Sequence, residues 1–207
     1  MAPRPPRIPS DGDCGPATVS WLLTTSIALY EDGREDIKAV RGKLAESWRN
    51  ILQVPRPGAD LYDQTAEQVG DWQAFVEARR DQVADVCEAP NLRHQVETVL
   101  RAMTRDASNS RTPYWFLEDD FQALSRAYQV NLIVHVQDGE RGFPAALSTW
   151  KRLHLEYKGS SSHGWGHWTP YIAKKNDDKS GCDDPTTVGA VAGVWGVTAI
   201  IVLVILF

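Results

Sequence analysis

From Pro185 to Phe207 the chain reads PTTVGAVAGVWGVTAIIVLVILF, without one charged residue. About 20 apolar residues are what a helix needs to cross the hydrocarbon core of a bilayer. A buried core helix is the alternative, but such helices are rarely apolar on every face. The expectation is a transmembrane helix over 187–207, acting as a C-terminal tail anchor with the polar domain on the cytoplasmic side. Lys174, Lys175 and Lys179 precede it, in keeping with the positive-inside tendency. Gly189 and Gly193 stand four apart, a spacing that offers a helix-dimer face. Cys182, just before the span, is a candidate for acylation or an idle thiol.

The remainder divides readily. Residues 174–186, KKNDDKSGCDDPT, are charged and lack apolar period, so they read as a linker. Residues 1–8 form a Pro-rich arm with no apolar stretch, hence no secretory signal. Residues 9–173 are left as one domain, long enough for a real core. With 27 acidic against 22 basic residues the net charge is -5, which argues against a nucleic-acid partner. Cys14, Cys87 and Cys182 form no CxxC pair and no metal-ligand spacing. That pattern suits a reducing compartment and calls for no metal or cofactor.

Within the domain the apolar period changes once. Ile37, Val40, Leu44, Trp48 and Ile51 fall three and four apart, one face of a helix. Val19, Leu22, Leu23 and Ile27 follow Pro16 in the same way. So do Val69, Trp72, Val76 and Val83, then Leu92, Val96, Val99 and Met103. A short helix carries Leu117, Phe121, Leu124 and Tyr128. Glu118, Asp119 and Asp120 at its start read as a solvated first turn; the alternative is a contact with a basic partner surface. Thereafter Asn131–Val136 is β-branched and apolar, Leu153, Leu155 and Tyr157 alternate, and His167–Ala173 reads as a last strand. Helices first and strands late predict an α+β domain with a small sheet packed between helices.

Against that frame one turn stands out, Ser10-Asp-Gly-Asp-Cys14, directly before a helix. A thiol at a helix start has the dipole in favour of its thiolate. A cysteine nucleophile needs a histidine beside it. His94, His135 and His154 sit in helix and strand patterns and read as structural or exposed. His163 and His167 lie in GSSSHGWGHWTPY, a glycine-rich loop entering a strand. His167 opens the apolar run and is held by it, whereas His163 sits among serines and glycines. On residue pattern alone, a buried cysteine and a loop histidine without a chemical role are the commoner case.

The Asp11-Gly-Asp-Cys14 stretch resembles the Asp-Gly-x-Cys nucleophile motif of the ovarian-tumour (OTU) family of cysteine proteases. Trp115 to Val134 is similar to that family's tryptophan, short helix and buried strand. His167-Trp168 resembles its His-aromatic pair, and the three fall in the family's order. The resemblance implies a papain-like OTU fold and a thiol-dependent deubiquitinase that hydrolyses bonds after ubiquitin or a ubiquitin-like modifier. It implies Cys14 as nucleophile, His167 as base, and Asp11 as the acid of the oxyanion loop. Two positions depart from the pattern. Thr169 stands where many members carry an acid or Asn two residues after the histidine, and Gly15-Pro16 follows the nucleophile in place of a bulky apolar residue.

Two other readings begin from the same residues. One is a bacteriocin-processing leader peptidase, which shares an acid-Cys-Gly motif but needs a glutamine where this chain has Ile8. The other is a ubiquitin-binding membrane adaptor in which the fold persists and the chemistry has lapsed.

Overall fold

The computed structural model describes residues 8, 12–26, 36–56, 65–105, 113–136, 139–142, 149–159 and 167–171. The expected membrane helix, with Gly189 and Gly193, lies outside them. Among the described residues no helix is long and apolar enough to cross a membrane.

Among the described residues five α-helices precede the strands: α1 (Cys14–Ser26), α2 (Ile37–Ile51), α3 (Ala66–Glu77), α4 (Leu92–Met103) and α5 (Glu118–Tyr128). Their starts are set by local chemistry. Asp36 accepts from the Ala39 N–H, Asn91 from the His94 N–H, and Thr65 forms a reciprocal cap with Gln68, satisfying first-turn donors that have no helical partner. Helix α1 differs in being apolar nearly all round, and Cys14, Ala17, Val19, Leu22 and Leu23 are all buried. It is a helix enclosed by the core.

Where they are described, the apolar stripes pack as their spacing predicts, with two exceptions; Ile27, the last residue of the first stripe, lies outside the described residues. Ile51, the end of the α2 stripe, is the exposed large apolar residue, at 39%. Val83 is buried, but it lies between two 3₁₀ turns, Arg80–Gln82 and Ala84–Glu88, beyond the end of α3. Gln129 takes a left-handed φ of 54°; it ends α5 and turns the chain at once into the sheet.

The sheet has four strands in the order β2-β1-β3-β4: β1 (Val130–Val136), β2 (Gly139–Gly142), β3 (Lys151–Lys158) and β4 (His167–Pro170). Strand β3 runs parallel to β1, and the other two pairings are antiparallel. The register places Leu132 beside Leu153 and Val134 beside Leu155. Tyr157 faces Trp168, their rings 4.6 Å apart. These residues form the apolar face on which the helices pack. The alternate residues make the second face polar, with His135, His154, Glu156 and Lys158 in sequence across it. The chain is therefore α+β, a small sheet with helices against it. Strand β2 was absent from the expectation because Gly139-Glu-Arg-Gly142 has no β-branched or aromatic residue.

Strand β4 is at the edge of the sheet, where unpaired backbone groups need a cover. Helix α1 supplies it. The Thr18 hydroxyl, fully buried, donates to the Trp168 carbonyl at 2.9 Å.

Candidate active site

Cys14 is the first residue of α1 and His167 the first of β4. Two contacts tie these ends together. Thr18, one helical turn beyond Cys14 and on the same helix face, bonds the carbonyl of Trp168, the neighbour of His167. Phe116 is the second tie. A Cβ on Gly15 would stand 2.9 Å from its side chain, and its carbonyl accepts from the Trp168 indole at 3.3 Å. The residues next to Cys14 and next to His167 thus meet on one aromatic residue. The aromatic contact continues from Phe116 to Phe121 (5.8 Å) and from Phe121 to Trp168 (4.4 Å).

This packing accounts for Gly15-Pro16. The close approach of Phe116 leaves no room for a side chain at position 15. The first helical bond is from the Ala17 N–H to the Asp13 carbonyl, at 2.9 Å. Pro16 therefore falls where no backbone donor is needed for the helix.

The turn before Cys14 is held from below. Gly12 has φ +94°, and a Cβ there would stand 2.8 Å from Pro113, so both conformation and space require glycine. Arg41 of α2 is fully buried beneath it. Its Nε and Nη2 donate to Asp13 Oδ1 at 2.8 and 2.7 Å, and Nη2 also donates to the Gly12 carbonyl at 3.0 Å. The same guanidinium reaches the Tyr114 carbonyl at 3.1 Å and the Met103 carbonyl at 3.2 Å. Arg41 therefore fixes the turn before Cys14 to α4 and to the segment before α5. Sequence reasoning missed it, because an arginine beside Val40 in the helical stripe reads as a flanking residue.

A second buried arginine underlies the next layer. Arg79 pairs with Asp120 and Asp119, both at 2.8 Å, and its Nε donates to the Tyr114 hydroxyl at 2.9 Å. Tyr114 donates on to Asp120 at 2.7 Å, and the Trp48 indole and Leu117 N–H also donate to Asp120, each at 2.8 Å. The solvated first turn expected for α5 holds at Glu118, which is exposed, and is corrected at Asp120, which is 0% exposed and unavailable to a partner surface. Arg79 lies over both the Trp48 and Phe75 rings, 4.6 and 4.3 Å from their centroids. Its pKa is raised because the neighbouring acids outweigh desolvation. Burial first, and Asp120 second, push the Tyr114 phenol well above its usual value. Burial likewise raises Asp119, against the pull of Arg79. Tyr114 joins the two networks, its carbonyl on Arg41 and its hydroxyl on Arg79 and Asp120.

Around His167 the polar groups are less settled. Its Nδ1 and the Thr169 Oγ1 are both buried, and neither has a hydrogen-bond partner among the described residues. Farther along the same face, His135 Nε2 and His154 Nδ1 are 2.8 Å apart, and Tyr171 stacks on His135 at 3.5 Å. His135 and His154 thus bond each other. Asp11 and His163 lie outside the described residues. Among the described residues no three His, Cys, Asp or Glu side chains converge as metal ligands do.

No family model matches this sequence, and no curated protein matches it. Solved structures similar to the chain include two viral OTU domain proteases. The one from Farallon virus is 14% identical with a TM-score of 0.41, over 80% of this chain and 83% of that one. The one from Dera Ghazi Khan virus is 16% identical with a TM-score of 0.38, over 81% and 80%.

Proposed function

We propose that the chain is a cysteine-type hydrolase of the deubiquitinase kind, with Cys14 as nucleophile and His167 as base, tethered to a membrane through 187–207. The observation that carries this reading is the double tie of Thr18 to Trp168 and of Gly15 and Trp168 to Phe116. It holds a helix that begins with a thiol against a strand that begins with an imidazole. The motif resemblance supplies the substrate class.

The chemistry follows from those groups. The Cys14 thiolate attacks the carbonyl carbon of the bond after the modifier's last residue, and the electron pair moves to oxygen. The positive end of α1 lies beside that oxyanion. Collapse breaks the C–N bond as the His167 imidazolium gives its proton to the leaving lysine amine, and a thioester remains. His167 then takes a proton from water, which attacks the thioester and restores the thiolate and imidazolium. Asp11 belongs to this proposal as the acid of the oxyanion loop.

One observation favours the non-catalytic adaptor instead: Cys14 is 1% exposed, so a substrate reaches sulfur only after its cover moves. The deciding experiment is a ubiquitin probe with a C-terminal electrophile. An enzyme forms a covalent adduct that is lost in Cys14→Ala. His167→Ala abolishes turnover with stability nearly unchanged, while His163→Ala keeps most activity. No adduct with folded protein leaves the adaptor; cleavage of a double-glycine leader rather than linked ubiquitin gives the leader peptidase.

A further inference from the structure

A histidine that alternates between base and acid needs something on its second nitrogen to fix its tautomer and favour its charged form. Two residues beyond His167 stands Thr169, whose hydroxyl is neutral. The described carboxylates near the nucleophile are committed elsewhere. Asp13 is bonded by Arg41, and Asp119 and Asp120 are both bonded by Arg79.

The sheet register offers another acid. Strand β4 pairs antiparallel with β3 so that His167 is opposite Lys158 and Thr169 is opposite Glu156. Directly opposed residues project from the same face, with Cβ atoms about 4.5–5.5 Å apart. His167, Thr169, Glu156 and Lys158 therefore form one square on the polar face. Two of its corners hold the buried, unpartnered Nδ1 and Oγ1. Glu156 rests on Lys158 at 3.0 Å, in a pair whose side chains are 36% and 58% exposed. Solvent screens such a pair, and it holds the carboxylate weakly. A hydroxyl has one donor and two acceptor positions. The Thr169 hydroxyl has the valence to accept from His167 Nδ1–H on one side and to donate to Glu156 on the other.

Resting on the reading of His167 as the base, we propose that Glu156, acting through the Thr169 hydroxyl, is the carboxylate that positions His167 and holds its imidazolium. Glu156 swings off Lys158, the Thr169 side chain rotates about χ1, and the chain from Nδ1 to carboxylate closes. Both are positioning residues and touch no substrate. Among the described residues, strand β3 sets Lys158, Glu156 and, one step along, His154 on the face of His167, and Cys14 is the one titratable group in the sequence of α1.

The test is a titration of the His167 ring by NMR with labelled histidine in the full chain, alongside the pH profile of kcat/KM. Removing the carboxylate disfavours imidazolium, so Glu156→Gln lowers the His167 pKa by about one unit. The alkaline limb of kcat/KM moves down by the same amount. Glu156→Asp restores part of the shift, Thr169→Val reproduces it, and the double variant adds nothing further. Lys158→Ala, which only frees Glu156, lowers neither. Thermal unfolding of each variant checks that the fold is kept. An unchanged His167 titration in Glu156→Gln overturns the proposal, as does a Thr169→Val protein that titrates like the parent. The ring titration needs no turnover. If it shifts as stated while the ubiquitin probe labels nothing, the hydrolase reading falls and the Glu156 linkage stands. If the parent is active and requires His167 while Glu156→Gln is indistinguishable from it, the linkage falls alone.

Discussion

Arg41 is the residue on which the geometry of Cys14 depends. It places one guanidinium under the Gly12–Asp13 turn, donating to a carboxylate and three carbonyls with no solvent contact. Removing one partner of a buried ion pair leaves the other charge unpaired, at a cost of about 3–5 kcal/mol. Arg41→Ala is therefore expected to unfold or nearly unfold the domain and says little about catalysis. Arg41→Lys is more telling. It keeps the charge but loses the planar fork, so about 1–3 kcal/mol of stability is lost. If the proposed hydrolase chemistry holds, turnover falls at least tenfold with KM little changed, because the turn would be loosened where transition-state charge develops. Denaturant unfolding and steady-state kinetics on a ubiquitin substrate check the two halves. An active Arg41→Lys enzyme with reduced stability makes the clamp purely structural. Nothing in the sequence near Arg41 signals its role. Its partners are 28, 62 and 73 residues away in sequence, and pattern reading sees only neighbours. Cys14 and His167 were singled out as candidates for the opposite reason, since each sits in a local pattern that can be read without distant partners.

At the scale of elements, apolar period located the helices because burial on one face is a local rule. Strand β1, apolar at five of its seven positions, and β3, alternating, were legible in the same way. What period did not show was polar burial. Asp120 looks like any first-turn acid, yet α2, α3 and α5 converge on it through Trp48, Arg79 and its own backbone cap. That convergence makes a pH prediction. The Tyr114 phenol is held above its usual value by burial and then by Asp120. A raised acid pKa means that the folded state keeps a proton the unfolded state releases. From about pH 10 upward the unfolded chain ionises first, so stability falls with rising pH by up to ~1.4 kcal/mol per unit. Below that value the phenol contributes no slope. Tyr114→Phe lacks the proton and so flattens the decline, although it is less stable at neutral pH by about 1–3 kcal/mol. Urea midpoints measured between pH 8 and 11 for both proteins decide it. Parallel curves would mean that Tyr114 is not the group that titrates.

The whole molecule poses the question of what the apolar run over 187–207 does for the domain. Buried residues from Cys14 to Trp168 form one core cluster, with Ile8 and Tyr157 packed against its rim. All of the described residues in the cluster precede the charged stretch 174–186. Helices α2, α3 and α4 are capped by side chains at their own starts, β4 is covered by α1, and the buried Arg41 and Arg79 find every described partner inside the domain. No described contact of the core calls for the apolar run. Deleting Thr186–Phe207 is therefore expected to give a soluble domain with an unfolding midpoint within about 2 °C of the parent in detergent, since distant, unconnected segments contribute additively. Turnover of a soluble ubiquitin substrate should also be unchanged, while association with liposomes is lost. The alternative has a distinct signature. If 187–207 is a core helix, about 20 apolar residues leave the interior at once, and each large side chain exposed costs on the order of 1.5–3 kcal/mol. No domain with the marginal stability typical of folded chains survives that loss. Aggregation or loss of near-ultraviolet circular dichroism in the deletion variant would place the segment in the core. A folded, active variant that still floats with liposomes would move the membrane contact into the domain itself.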